Sequence, residues 1–399
     1  MSEFPARAVV DLGAVRANAR ALGDLAPSSQ VMAVVKADAY GHGLLPVARA
    51  AVEGGATWLG VAQVSEALRL RAGGVTARVL TWLYAPGAPL AQAVAADVDL
   101  SVAAPWALQE VAAAARATGR TARIHVKVDT GLGRNGMTPA ELPAVLDDAL
   151  RLEAEGVVRL VGIWSHLAFA DEPGHPSLHH QGDVLRRAAA DAEARGARFE
   201  VRHIAASAST LTDPELHLDL VRPGIALYGL TPVPQLGGPE RFGLVPAMTV
   251  EAELATVKEL PAGHGMSYGH HYVTPRDTRV GVVPLGYADG VPRHASGVDG
   301  APGAPLGVAG RRLAIAGRVC MDQVMVDLGP GAAEVAGDRV VLFGNGRDGG
   351  PTAQDWADAA GTISYEVVTR LGARVPRVYV DGGHEVPVSD AVRVAEEVS

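Results

Sequence analysis

A chain of 399 residues, 48% hydrophobic and 20% charged, is long enough for two domains with cores of their own and is not the composition of a disordered polymer. Its net charge of −9 argues against a general nucleic-acid or anionic-membrane surface, while leaving room for a local basic pocket that holds a phosphate. The single cysteine, Cys320, cannot form an internal disulfide, and with neither a leader pattern nor a membrane-length apolar run the expectation is a soluble cytoplasmic protein.

In chain order, a short strand over residues 7–12 and a helix over 14–25 lead into a regular alternation. Strands are expected at 31–36, 58–62, 79–83, 98–102, 122–128, 160–165, 201–205 and 218–221, separated mostly by alanine-rich amphipathic helices such as 44–53, 64–72, 106–118, 143–155 and 184–196. Eight such units predict a (β/α)8 TIM-type barrel rather than an open doubly wound sheet. Lys36, Arg134, His166, Ser207 and Arg222 all fall at or just after strand ends, where such barrels keep their active sites.

Proline and glycine in Thr231-Pro232-Val233-Pro234-Gln235-Leu236-Gly237-Gly238-Pro239 mark a linker. Beyond it, β-rich segments at 248–257, 280–285, 313–319, 324–328 and 340–343 precede short helices at 353–360 and 365–371. The expected organisation is a strand at 1–12 that pairs with the C-terminal domain, a barrel over 13–238 and a mainly β domain over 239–399.

Several stretches carry chemistry. In Ala33-Val34-Val35-Lys36-Ala37-Asp38-Ala39-Tyr40-Gly41-His42-Gly43, β-favouring residues deliver a lysine to a strand end, and small residues then open a loop. A lysine there can snorkel to solvent. Facing a dry cleft, its amine instead loses charge and condenses with an aldehyde, as pyridoxal phosphate sites require. The loop from Lys127 to Gly136 ends its glycine-rich turn in Arg134, whose guanidinium can fork onto a phenolic oxygen or a carboxylate, although such turns are often structural. Trp164-Ser165-His166 places a histidine among aromatic residues, as a core residue or a site residue. In Val221-Arg222-Pro223-Gly224-Ile225 the amides of Gly224 and Ile225 can face a phosphate. His175, His179 and His180 lack convincingly spaced carboxylate or cysteine partners and are read as a solvated loop, with no metal expected.

The lysine stretch closely resembles the cofactor-lysine motif of alanine racemases, a pyridoxal 5'-phosphate (PLP) family, and further motifs follow in that family's order: Gly265-Met266-Ser267-Tyr268-Gly269, Gly286-Tyr287-Ala288-Asp289-Gly290, Arg318-Val319-Cys320-Met321-Asp322-Gln323 and Ile363-Ser364-Tyr365-Glu366. The resemblance implies racemisation of L- and D-alanine, supplying D-alanine for peptidoglycan, with Lys36 and Tyr268 as bases on opposite faces of a planar carbanion. It further implies a cofactor site of Lys36, Tyr40, Arg134, His166, Ser207, Arg222, Gly224, Ile225 and Tyr365. Arg222 would face the pyridine nitrogen, bond His166, and through it support Tyr268. Arg134, Met321, Asp322 and Tyr287 would serve the substrate, and Lys127 would be carbamylated. The family's head-to-tail homodimer implies active sites shared between subunits. Ala206 departs from the pattern, standing where the family usually has asparagine. Alternatives are a broader-specificity or serine racemase, an amino-acid decarboxylase of related architecture, and a non-catalytic PLP-binding protein, which would resemble the barrel alone.

Overall fold

Continuous apolar runs such as Met32-Ala33-Val34 and Trp58-Leu59-Gly60-Val61 suit strands buried on both faces, the hallmark of a parallel sheet covered by helices. The computed structural model describes residues 5–386; residues 1–4 and 387–399 of the expected terminal segments lie outside the described residues. After β1 (Ala6–Asp11) come eight parallel strands: β2 (Gln30–Val34), β3 (Trp58–Val61), β4 (Arg78–Thr81), β5 (Asp99–Val102), β6 (Ala122–Lys127), β7 (Val158–Trp164), β8 (Val201–His203) and β9 (Leu220–Val221). Their spatial order is β8-β7-β6-β5-β4-β3-β2-β9. The ring closes where the Arg222 amide donates to the Ala205 carbonyl at 2.9 Å, beside a parallel bridge between Ala206 and Arg222. This is the TIM-type barrel expected.

Met32, Trp58, Leu80, Val161, Val201 and Leu220, one from each of six strands, form a buried cluster with Trp82 against it. Alternation along β5, β6 and β8 brings in polar groups as well: Asp99, Ser101, His125, Lys127 and His203 are all buried.

The described residues form two units. Ala14–Ala39 and Leu44–Val245 make the barrel unit; Tyr40–Gly43, the described residues up to Gly13 and those from Pro246 onward make the other. The expected boundary at 238 therefore moves to 245, and four residues just after Lys36 leave the barrel unit. In the second unit β1 lies in a seven-stranded sheet, antiparallel to Met248–Glu253 and parallel to Arg377–Asp381. A three-stranded sheet joins Thr256–Leu260, Thr278–Val283 and Val324–Gly329.

Departures from the expected elements have local causes. The segment 248–257 divides between the two sheets, with Leu254 and Ala255 as the crossover. The last barrel strand shrinks to Leu220–Val221 because Leu218 takes a left-handed φ of 51° that no strand accommodates. The helix expected at 184–196 starts at Ser177, so His179 and His180 are helical rather than in a loop.

Candidate active site

Lys36 does not end a strand. It starts a turn in which Ala37, Asp38, Ala39 and Tyr40 all have φ between 52° and 55°. Left-handed conformation costs an L-residue about 1–2 kcal/mol, so a run of four persists only where other contacts hold it. The Ala37 amide donates to Glu66 Oε1 at 2.6 Å, the Ala39 amide to the Val35 carbonyl at 2.9 Å, and the Leu44 amide to Asp38 Oδ1 at 3.0 Å. Strain anchored in this way fixes where the Lys36 backbone stands. Burial and the nearby Arg134 cation lower the Lys36 pKa, against a smaller opposing effect of Glu66, and its Nζ lies 6.0 Å from the centre of the Trp82 ring. The result is a lysine biased toward the neutral amine.

Arg222, carried by the chain just after β9, is the hub of the barrel unit. Its Nη2 donates to the carbonyls of Ser165 at 2.9 Å and Ile204 at 3.0 Å and stands 3.4 Å from His166 Nδ1; its Nη1 stands 3.1 Å from His203 Nδ1. The Trp164 ring packs beneath both Arg222 and Lys127, whose Nζ is 4.3 Å from the ring centre. Burial, then Arg222 and Arg134, bring Lys127 down to about 8. His166 is held well below the usual histidine range by burial and by four cations, Arg222, Arg134, Lys127 and Lys36. In a chain of net charge −9 this is a concentrated positive field.

Arg134 sits on an exposed loop. Asp129 Oδ1 shapes that loop by accepting from the amides of Gly131, Leu132 and Gly133 at 2.9–3.1 Å. Gly136, at φ 120°, closes it where a Cβ would stand 2.8 Å from the Asp129 nitrogen. At the start of the helix Ser207–Thr212, Ser207 Oγ accepts from the amides of Gly224 at 2.8 Å and Ala226 at 3.2 Å. The Gly224 amide is thus committed to anchoring Ser207. Ala206 takes part through its carbonyl, which accepts from the Thr210 amide and hydroxyl, both at 2.9 Å.

Tyr40, Tyr268, Tyr287, Met321, Asp322 and Tyr365 belong to the second unit. The ring centres of Tyr40 and Tyr365 lie 6.2 Å apart, and burial pushes the Tyr40 phenol well above its usual range. Around Tyr268, three loops are tied together. Ser267 Oγ donates to the Arg318 carbonyl at 2.7 Å, the Tyr287 amide to the Cys320 carbonyl at 3.0 Å, and the Ala288 amide to the Met321 carbonyl at 2.9 Å. Gly286 is needed at that meeting point, because a Cβ there would stand 2.3 Å from the Met321 carbonyl oxygen. Tyr268, Met321 and Tyr287 are 72%, 53% and 42% exposed, an apolar display on otherwise well-anchored loops. Asp322 spends its carboxylate on Arg374, at 2.8 Å, and Arg374 also reaches Asp289 at 3.0 Å.

Sequence reasoning singled out none of Glu66, Trp82, Gln181, Asp99 or His125. Gln181 is buried, donates to Thr130 Oγ1 at 3.1 Å and accepts from the Ala168 amide at 2.9 Å, so it ties the Arg134 and His166 loops together. The only hint in the sequence is polarity at a helix position that a barrel would bury.

Residues 10–232 match the family model for the alanine racemase N-terminal domain, and residues 247–379 the model for the C-terminal domain. An alanine racemase of Beutenbergia cavernae is 59% identical over 95% of this chain and 99% of its own length, and one of Streptomyces coelicolor is 57% identical over 94% and 96%. Among solved structures, alanine racemase from D-cycloserine-producing Streptomyces lavendulae superposes with a TM-score of 0.93 at 55% identity, covering 96% of this chain and 98% of that one. A Bacillus anthracis alanine racemase with bound L-Ala-P superposes with a TM-score of 0.86 at 33% identity, covering 98% of each.

Proposed function

Because the chain belongs to the alanine racemase family, we propose that it holds pyridoxal 5'-phosphate on Lys36 and works as a cytoplasmic homodimer supplying D-alanine for peptidoglycan. It racemises alanine. The observation that carries the cofactor reading is the cluster of Lys127, Arg134 and Arg222 around His166, with Lys36 beside it biased toward its neutral, nucleophilic form. Such a cluster suits a group that bears a phosphate and a substrate that bears a carboxylate.

When bound, pyridoxal phosphate withdraws electrons from the substrate's α-carbon and so acidifies its C–H. Lys36 would hold the cofactor through its amine, and once the substrate's own amine had replaced it there, the freed Lys36 amine would move a proton on one face of that carbon. Ser207, its lone pairs engaged by two amides, has its O–H left to donate, and with the Ile225 amide it takes the phosphate; Gly224 contributes by holding Ser207. Tyr40 and Tyr365 add phenolic donors to the same phosphate. Arg222 is a guanidinium that presents only donors and discourages a proton on a neighbouring pyridine nitrogen, favouring return of the proton to the α-carbon over transamination. Arg134 receives the substrate carboxylate, and the neutral fraction of Lys127 adds carbon dioxide to give a carbamate and a proton, turning a cation beside Arg134 into an anion that steadies it.

Tyr268 moves the proton on the other face. Its exposure, with that of Met321 and Tyr287, fits residues that complete the site of a second copy of the chain, where Met321 and Asp322 border the substrate carboxylate and Tyr287 the entrance. The test is subunit exchange. Lys36→Ala and Tyr268→Phe proteins, each inactive alone, should recover up to roughly a quarter of native activity when mixed statistically, since one site per mixed dimer is whole. No recovery despite demonstrated exchange overturns the shared site. Borohydride reduction that labels a residue other than Lys36 overturns the cofactor assignment.

A further inference from the structure

From the Arg222 nitrogen that does not meet His166, a file of buried polar side chains runs across strands β8, β6 and β5. Arg222 Nη1 lies 3.1 Å from His203 Nδ1; His203 Nε2 lies 2.9 Å from His125 Nδ1; His125 Nε2 lies 3.2 Å from Asp99 Oδ2. Asp99, His125 and His203 are each 0% exposed. At the far end Asp99 also accepts from Arg78 Nη2 at 2.8 Å and Arg123 Nε at 2.6 Å.

We propose that Asp99, His125 and His203 form a one-way hydrogen-bond relay that positions Arg222, keeping an acceptor turned toward its guanidinium. The polarity follows from the two ends. A guanidinium has only donors, so His203 Nδ1 is bare and its proton sits on Nε2. That Nε2–H donates to His125 Nδ1, which is therefore bare too, leaving the His125 proton on Nε2 to meet an ionised, acceptor-only carboxylate. Every link then has one donor and one acceptor, and no other assignment with two neutral imidazoles satisfies all three. Burial, foremost, keeps both imidazoles neutral: His125 is lowered by burial and by Arg78 against the opposing pull of Asp99 and Glu200, and His203 is lowered by burial and by Arg222. Burial opposes the Asp99 charge, but His125, Arg78 and Arg123 outweigh it and hold the carboxyl below its usual range.

The packing is built to keep this file straight. The His203 ring stacks on Trp164 with planes 7° apart, and the His125 ring meets Trp58 edge-on at 87°. Gly162 leaves the space that His125 occupies, since a Cβ there would stand 2.3 Å from Nδ1. Were either imidazole turned to its other tautomer, an N–H would face the N–H of Arg222 or a bare nitrogen would face the Asp99 carboxylate. Arg222 would then lose the acceptor that holds it beside His166, where on the proposed reading it would face the pyridine nitrogen of the bound cofactor.

The experiment is nitrogen-15 NMR of the histidine side chains in cofactor-free protein, native and Asp99→Asn, paired with cofactor titration and kinetics of the reloaded enzyme. In the native protein both His125 and His203 should be neutral with the proton on Nε2 at neutral pH. An amide at position 99 can donate as well as accept, so Asp99→Asn should give a mixture of tautomers, with pyridoxal phosphate binding weakened ~10-fold and kcat reduced ~10-fold while KM for alanine stays within about twofold, the scale seen when outer partners of a positioned side chain are lost. A native imidazole that is cationic or protonated on Nδ1 overturns the relay, even if the variant does not fold. So does a variant whose tautomers shift while cofactor affinity and kcat both stay within about twofold.

Discussion

The two units prepare their functional residues in opposite ways. In the barrel unit Arg222 is held by two carbonyls and an imidazole, and the pKa values of Lys36, Lys127 and His166 are all lowered by burial first and by nearby cations, Arg134 among them in each case. In the second unit Tyr268, Tyr287 and Met321 stand on rigid loops but face outward. Burial supplies the chemistry of the first set within a single chain, whereas the second set has a fixed position and lacks a fixed environment. On the proposed reading, a site that drew on both sets would be pre-organised on one side and would become dry on the other only when a second copy of the chain covered it.

Replacing Lys36 by alanine strikes the prepared half and should have the largest effect, a loss of racemase activity of about 10⁴-fold or more together with loss of borohydride-trappable cofactor. Tyr268→Phe strikes the exposed half. It should lower activity by about 10²–10⁴-fold, the usual worth of a proton-transfer group, yet leave cofactor binding to the barrel intact; a parallel loss of cofactor would erase the distinction between the two halves.

Acid should undermine the barrel unit specifically. His125 and His203 have folded pKa values below the unfolded 6.5, so the unfolded chain binds more protons as pH falls. Their neutral-state contribution is therefore intact above pH 6.5 and is lost below it, with a slope of up to about 3 kcal/mol per pH unit for the pair. Asp99, lowered beneath 3.8, adds to the loss only below that pH. Denaturation of cofactor-free protein followed by tryptophan fluorescence, sensitive to Trp58 and Trp164, tests this; a midpoint unchanged between pH 7 and pH 5 would contradict it.

Gly162→Ala sets a methyl against His125 and should cost about 1–3 kcal/mol by overpacking, with the second unit's loops undisturbed. The smallest effect concerns Lys127. With its pKa near 8, its neutral fraction rises from roughly a tenth at pH 7 to roughly three quarters at pH 8.5, and carbamate formed from carbon-13 bicarbonate should rise in step. A carbon-13 carbamate signal that ignores pH over that interval would remove Lys127 from the proposal.

How much of this was legible in advance depended on range along the chain. Motifs made of neighbours in sequence, such as the lysine stretch or Arg222-Pro223-Gly224, could be picked out through their resemblance to a known family, since composition alone also allows a lysine that snorkels to solvent. Eight strands and their helices were visible as alternating patterns, although the strand ends shifted where a left-handed residue such as Leu218 intervened. The turn from Ala37 to Tyr40 could not be foreseen, because alanine and tyrosine do not favour positive φ and one of the contacts that hold it comes from Glu66, 26 residues and more downstream.

The amino-acid sequence by itself determined the kind of architecture and which short motifs stand out, since periodicity, glycine placement and local spacing are properties of adjacent positions. Only the tertiary structure decided which of those residues share an environment. Asp99, His125 and His203 lie on three different strands, and a file of alternating donors and acceptors among them exists because barrel closure turns those strands' inner faces toward one another and excludes the water that would otherwise satisfy each group alone.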